Sequence, residues 1–144
     1  MINIKVVIII FLSGFYSILN AQSIIGEWET FDDLTGDKLS VVEIYNINDI
    51  YFGKITHLFE DPLDSVCDQC KDDNYNKPIV GLVIIKNLIK DDDDDEYNEG
   101  TILDPNNGKS YKCYLELIGN NKLKLRGYIG FSILGRTQYW QRKI

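Results

Sequence analysis

Between Glu27 and Arg142 the chain never runs far without a turn signal, and most stretches between those signals alternate apolar and polar residues with a period of two. No long helical period appears, so the pattern asks for a succession of short strands. The clearest begins the segment LKLRGYIGFSILGRTQYWQR: Leu123–Tyr128 alternates as a half-buried strand does. Thr137–Arg142 can fold back on it across a glycine-punctuated connection, as a closing hairpin. Six further strands are predicted at Glu27–Phe31, Leu39–Tyr45, Ile50–Phe59, Pro78–Leu88, Thr101–Leu103 and Tyr111–Leu117. Asp32, Asp33, Thr35 and Gly36 separate the first two, because aspartates bond nearby backbone and glycine accepts positive φ. Asn46, Asn48 and Asp49 turn the chain next, then Asn106–Gly108 and Gly119–Asn121 further on. Gly53, inside the third strand, marks a bend or bulge. Glu60–Lys77 is polar and aperiodic and contains Pro62, which predicts a long surface loop.

Eight sequential antiparallel strands in about 120 residues suit an all-β, up-and-down barrel, since closure removes the exposed edges of a flat sheet. An open β-sandwich is the competing architecture. A barrel of this strand number has room for its own side chains or for one small ligand. The two ends of the chain favour closure. Gly26-x-Trp28 opens the first strand and Trp140-x-Arg142 ends the last, which resembles the way lipocalins lay a late arginine across an early tryptophan.

The first 21 residues read differently. Lys5 precedes an apolar run from Val6 to Leu12, which leads through Ser13, Gly14 and Ser17 to Ala21, the order of a secretory signal cleaved after Ala21. The expected organisation is a signal peptide over 1–21 and one domain over 22–144, exported to the periplasm or beyond the cell. No segment is apolar for long enough to predict a membrane span. Without the leader the chain holds 14 basic against 22 acidic residues, and six of the acids stand together at Asp91–Glu96. The body of the domain is therefore near neutral and has no basic stripe, which argues against nucleic acid as a partner.

A wider resemblance follows from GEWETFDDLTG at Gly26–Gly36, GKI at Gly53–Ile55, CDQC at Cys67–Cys70, PIVG at Pro78–Gly81, GTILDPNNGKSYKC at Gly100–Cys113 and LRGYIGFSILGRTQYWQR at Leu125–Arg142. In this order the segments resemble an exported bacterial family catalogued as domain of unknown function 2147 (DUF2147). The resemblance implies an exported, lipocalin-like barrel with no assigned chemistry. Beside that pattern, Asp91–Glu96 looks like a variable insertion.

In an oxidising compartment Cys67 and Cys70 favour a disulfide, with Cys113 a small buried hydrophobe on its strand; a bridge from Cys113 to either is the alternative. A redox pair lacks a helix N-terminus, and a zinc site with His57 lacks spacing, so no metal or cofactor is expected. Asp91–Glu96 lacks the glycine-spaced order of a calcium loop and reads as a solvated turn. Asp32, Asp33 and Asp104 read as turn formers rather than a catalytic acid and base.

Parity puts Leu123, Leu125 and Gly127 inward and Arg126 outward, while an inward Trp140 brings Arg136, Gln138 and Arg142 to its side. Buried arginine needs a partner, and the simplest reading stacks Arg142 on Trp28 to close one end. The functional reading takes Trp28, Tyr111, Arg136, Gln138 and Arg142 as ligand-binding residues. Arg136, Gln138 and Tyr111 would meet the anionic or polar head of an apolar molecule above a cavity lined by Trp28, Val42, Ile44 and Leu115. The expected function is thus a small-ligand barrel of the bacterial envelope, or one presenting its loops to an envelope protein. The alternatives are a structural barrel with a filled core and, behind it, a hydrolytic enzyme.

Overall fold

The computed structural model describes residues 22–144, and the proposed leader at 1–21 lies outside the described residues. Eight strands run in chain order: β1 (Gly26–Phe31), β2 (Lys38–Ile47), β3 (Ile50–Leu58), β4 (Val83–Lys90), β5 (Glu96–Asp104), β6 (Lys109–Ile118), β7 (Lys122–Tyr128) and β8 (Gly135–Arg142). Each pairs antiparallel with the next, and β1 pairs with β8 through Trp28 opposite Arg142 and Glu29 opposite Gln141. The sheet is a closed barrel with no free edge, and the sandwich alternative is excluded. Among the described residues no helix is long and apolar enough to cross a membrane.

Register follows the alternation. Leu123 faces Trp140, Leu125 faces Gln138 and Gly127 faces Arg136 across β7 and β8, so one set of side chains points in and Lys122, Lys124 and Arg126 point out. Trp28 and Thr30 lie opposite Val42 and Ser40 on the inner face of β1 and β2. At the β2–β3 turn Asn48 and Asp49 both take positive φ, 52° and 64°, as a two-residue hairpin loop requires. Gly53 does break the ladder to β4, and a Cβ there would crowd Ile85 and Val42 at 3.2 Å.

Two strands differ from expectation. The fourth begins at Val83, not Pro78: Pro78 makes only an isolated bridge with Val66, having no amide to donate, and Gly81 at φ 96° diverts the chain before the ladder starts. The fifth begins at Glu96, not Thr101. Only Asp91–Asp95 forms the turn, closed by the Asp91 amide donating to the Glu96 carbonyl, while Tyr97 enters the core at 2% exposure. A bulge between Tyr97 and Gly100, with Glu99 at φ 63°, hides the alternation that would have shown this strand.

The barrel has two unlike ends. At one, beside residues 22–25 and the β2–β3, β4–β5 and β6–β7 turns, Ile24, Trp28, Ile44, Leu88, Leu115 and Leu123 are almost fully buried. Tyr97 meets Tyr51 there edge to face at 4.9 Å. The Trp28 indole donates to the Ile24 carbonyl at 2.8 Å. The Arg142 guanidinium lies 4.3 Å from the Trp28 ring centroid and donates to the carbonyls of Ser23, Ile25 and Asn120 at 2.8, 3.1 and 2.9 Å. Gly26 makes this closure fit, because it sits at φ 132° and a Cβ would stand 3.0 Å from an Arg142 terminal nitrogen.

At the other end stand the β1–β2, β5–β6 and β7–β8 connections and the long β3–β4 loop. That loop is tied internally by a Cys67–Cys70 disulfide, with both cysteines buried, and by the Cys67 amide donating to the Lys77 carbonyl at 2.8 Å. It rests on the β5–β6 turn so closely that a Cβ at Gly108 would fall 1.8 Å from the Gln69 carbonyl oxygen. Cys113 is free and fully buried on β6, and burial pushes its thiol up to about 12.

Candidate functional site

The half of the barrel beneath the long loop is not filled. A cavity of about 650 Å³ opens at that end, within the range of small-molecule sites. Strand parity builds most of its apolar body: Val42, Ile55, Ile102, Leu125 and Trp140 come from inward positions, and Ile84 joins them from the register shift between β3 and β4. Two facts leave the space open. Gly127 occupies an inward position with no side chain, and a Cβ there would meet only Ile102, at 3.7 Å. Thr30 and Ser40, also lining, are short and satisfy one another through a 2.7 Å hydroxyl contact, so they present little unmet polarity.

The polar groups gather toward the mouth. Tyr111, Arg136 and Gln138 line the cavity together, drawn from β6 and β8. The Tyr111 hydroxyl accepts from the Asn107 amide at 3.0 Å, which ties it to the β5–β6 turn. Gln138 accepts from the Trp140 indole at 3.3 Å through Oε1, which leaves its amide nitrogen free to donate. Arg136 forms a two-nitrogen ion pair with one oxygen of Asp33, across 103 residues of sequence, and both partners are partly exposed. Asp33 is therefore more than a turn former. Asp32, which also lines the cavity, is a turn former: its Oδ1 accepts from the amides of Leu34 and Thr35 at 2.8 and 2.9 Å, and the amide of Thr35, then that of Leu34, hold its carboxyl below the ordinary value. Asp104 caps the next turn, accepting from the Asn106 amide at 2.9 Å.

Trp28 and Arg142 lie at the opposite, closed end, as the simpler reading of that pair has it, and neither lines the cavity. Of the lining expected around an apolar ligand, Val42 is present, whereas Ile44 and Leu115 are packed into the solid half beside Trp28. His57 is exposed on β3, edge to face with Phe59 at 4.8 Å, and is not among the cavity residues. A shallower hollow of about 520 Å³ lies against Tyr45 and Phe52, on the face of β2 and β3 opposite Ile44 and Gly53.

Arg126 has a role that sequence alone did not reveal. Pointing outward from β7, it donates to the carbonyls of Ser132 and Ile133 at 2.8 and 3.2 Å and to the Thr137 hydroxyl at 2.9 Å, so it holds the β7–β8 connection. That connection presents Ile129, Phe131, Ile133 and Leu134 with 65–82% of their surface exposed, and Ile129 and Leu134 also line the mouth. The run IGFSILG carries this signal in its composition: four large apolar residues within seven positions are more than a turn needs.

Comparison with known proteins supports the architecture. The model of the family described as "Uncharacterized protein conserved in bacteria (DUF2147)" matches residues 26–142. Among solved structures the chain is similar to protein HP1028 of Helicobacter pylori, described as belonging to the lipocalin family. The two superpose with a TM-score of 0.75 at 19% sequence identity, over 85% of this chain and 84% of that one. At that identity the likeness is one of fold. No curated protein matches the chain.

Proposed function

Since the chain belongs to the DUF2147 family and has a lipocalin-like barrel, we propose that it is an exported carrier or receptor for one small apolar or amphipathic molecule, held in the cavity with its polar end at the mouth. The observation that carries this reading is the uneven filling of the barrel. One half is packed to near-zero exposure, and the other keeps a cavity of about 650 Å³ lined by aliphatic residues and Trp140. A barrel whose role is only structural gains nothing from leaving that space, because each unfilled volume forfeits dispersion contacts. Tyr111 and Gln138 are the groups that would orient the head and Arg136, paired with Asp33, would frame the mouth beside them, while Trp28 and Arg142 would serve by sealing the far end. The buried Cys67–Cys70 disulfide supports export to an oxidising compartment, in keeping with the leader-like sequence.

Gly127→Leu tests the proposal, because it puts a side chain into the cavity at a position with ordinary clearance. Native mass spectrometry of residues 22–144, together with titration of Trp140 fluorescence by a neutral long-chain alcohol, should show a bound molecule for the parent and none for the variant. Circular dichroism should remain that of the same barrel. Equal occupancy in both, or no binding by either, would remove the cavity as the site.

A further inference from the structure

We infer that the cavity selects apolar molecules whose head is cationic or, next best, neutral, and turns away carboxylates. This rests on the carrier reading above and deepens it. Among the described residues four charged side chains line the cavity: Asp32, Asp61, Asp104 and Arg136. Both contacting nitrogens of Arg136 are already given to Asp33, so the one lining cation is matched by a carboxylate of its own. The other nearby guanidinium, Arg126, points out of the barrel and is spent on the carbonyls of Ser132 and Ile133.

Three lining acids are left without a paired cation. Asp32 and Asp104 each use Oδ1 for a turn amide and keep Oδ2 for another donor, and Asp61 is exposed at the start of the long loop. A head group seated at the mouth would meet more carboxylates than cations, with the lining guanidinium already paired to Asp33. An ammonium group gains there in charge and in hydrogen bonds, a hydroxyl can donate to the same oxygens, and a carboxylate is repelled.

The aliphatic walls hold the tail whatever the head, so head preference is separable from binding itself. Three probes of one tail length isolate it: dodecylamine, dodecanol and dodecanoate, each kept below its micellar concentration and titrated into residues 22–144. At an ionic strength of about 10 mM the amine should bind on the order of tenfold more tightly than the carboxylate, with the alcohol between. At about 500 mM the order should flatten toward that of the alcohol. The Asp61→Asn, Asp104→Asn double variant should lose most of the spread between amine and carboxylate and shift dodecanol least of the three. Asparagine keeps the cap at position 104, so the fold is preserved.

Equal or tighter binding of dodecanoate, with dodecanol still bound, would overturn the head-group inference and leave the cavity reading standing. Amine binding that survives Gly127→Leu would also count against it, as adsorption to acidic surface. Failure of all three probes to bind would overturn both readings together.

Discussion

Replacing Arg142 by alanine should destabilise the barrel without touching the cavity. The guanidinium makes three donations to backbone carbonyls from three separate places in the chain, Ser23, Ile25 and Asn120, and covers the Trp28 ring at 4.3 Å. In a partly exposed setting each donation is worth about 1 kcal/mol, since a released carbonyl recovers water, and the ring contact about 0.5 kcal/mol. The sum is about 3.5 kcal/mol, a large fraction of the 5 to 15 kcal/mol typical of a domain, and corresponds to a melting temperature lower by about 10 °C for this chain length. Urea unfolding of residues 22–144, followed by circular dichroism, should show a lower midpoint with an unchanged slope. Arg142→Lys should recover less than half, because an ammonium cannot reach three carbonyls as a planar fork does. A loss below about 0.5 kcal/mol for the alanine variant would refute the idea that this residue closes the barrel.

Three further outcomes follow from local geometry. Gly108→Ala forces a Cβ onto the Gln69 carbonyl, so the long loop must lift; amide exchange should accelerate across Cys67–Lys77 while the β6–β7 amides stay protected. Burial first, and then the charges of Asp94, Glu116 and Asp91, raise the Glu96 carboxyl above its ordinary value of 4.5. An acid raised in the folded state weakens the fold as pH climbs through the unfolded and then the folded value, so Glu96→Gln should be stabilising at about pH 7 and neutral at about pH 3. Titration with a thiol reagent should find no reactive group in the native protein, one after denaturation and three after denaturation with reductant, because Cys113 is buried with a thiol at about 12 and the other two are bridged.

What could be read in advance was whatever repeats at short range. Alternation places Trp140, Gln138, Arg136 and Arg142 on one side of β8 and Cys113, Leu115 and Leu117 on one side of β6, and the structure has both sets on the inner face of the barrel. The Gly26-x-Trp28 pair and Arg142 do meet, and the Cys67–Cys70 bridge and the free Cys113 follow the simpler of the weighed readings. The misses have two causes. At β5 the strand is written as Glu96, Tyr97, Asn98 and Glu99, where Tyr97 alone favours a strand and a bulge breaks the alternation, so packing of Tyr97 against Tyr51 overrides local sequence. The Asp33 to Arg136 pair and the Arg126 hold on the β7–β8 connection depend on how distant segments meet, and no spacing rule reports that. The division of the interior was hidden for a related reason. Ile44 and Val42 are equally inward on β2, and only the height of each along the barrel decides that one is packed and the other borders empty space.

That vertical division has a thermodynamic corollary. With its interior filled beside Trp28 and open beneath the long loop, the protein without a guest resembles a cup whose base is packed through its core and whose lip is held mainly by the disulfide, the Arg136 to Asp33 pair and the Arg126 bonds. A guest would supply the missing wall contacts, and its free concentration would then set how firmly the upper turns are held, by about RT ln(1 + [L]/Kd). Loading would register as a tightening of Ile129–Leu134 and of the disulfide loop, a change legible to anything that touches the outside of the molecule.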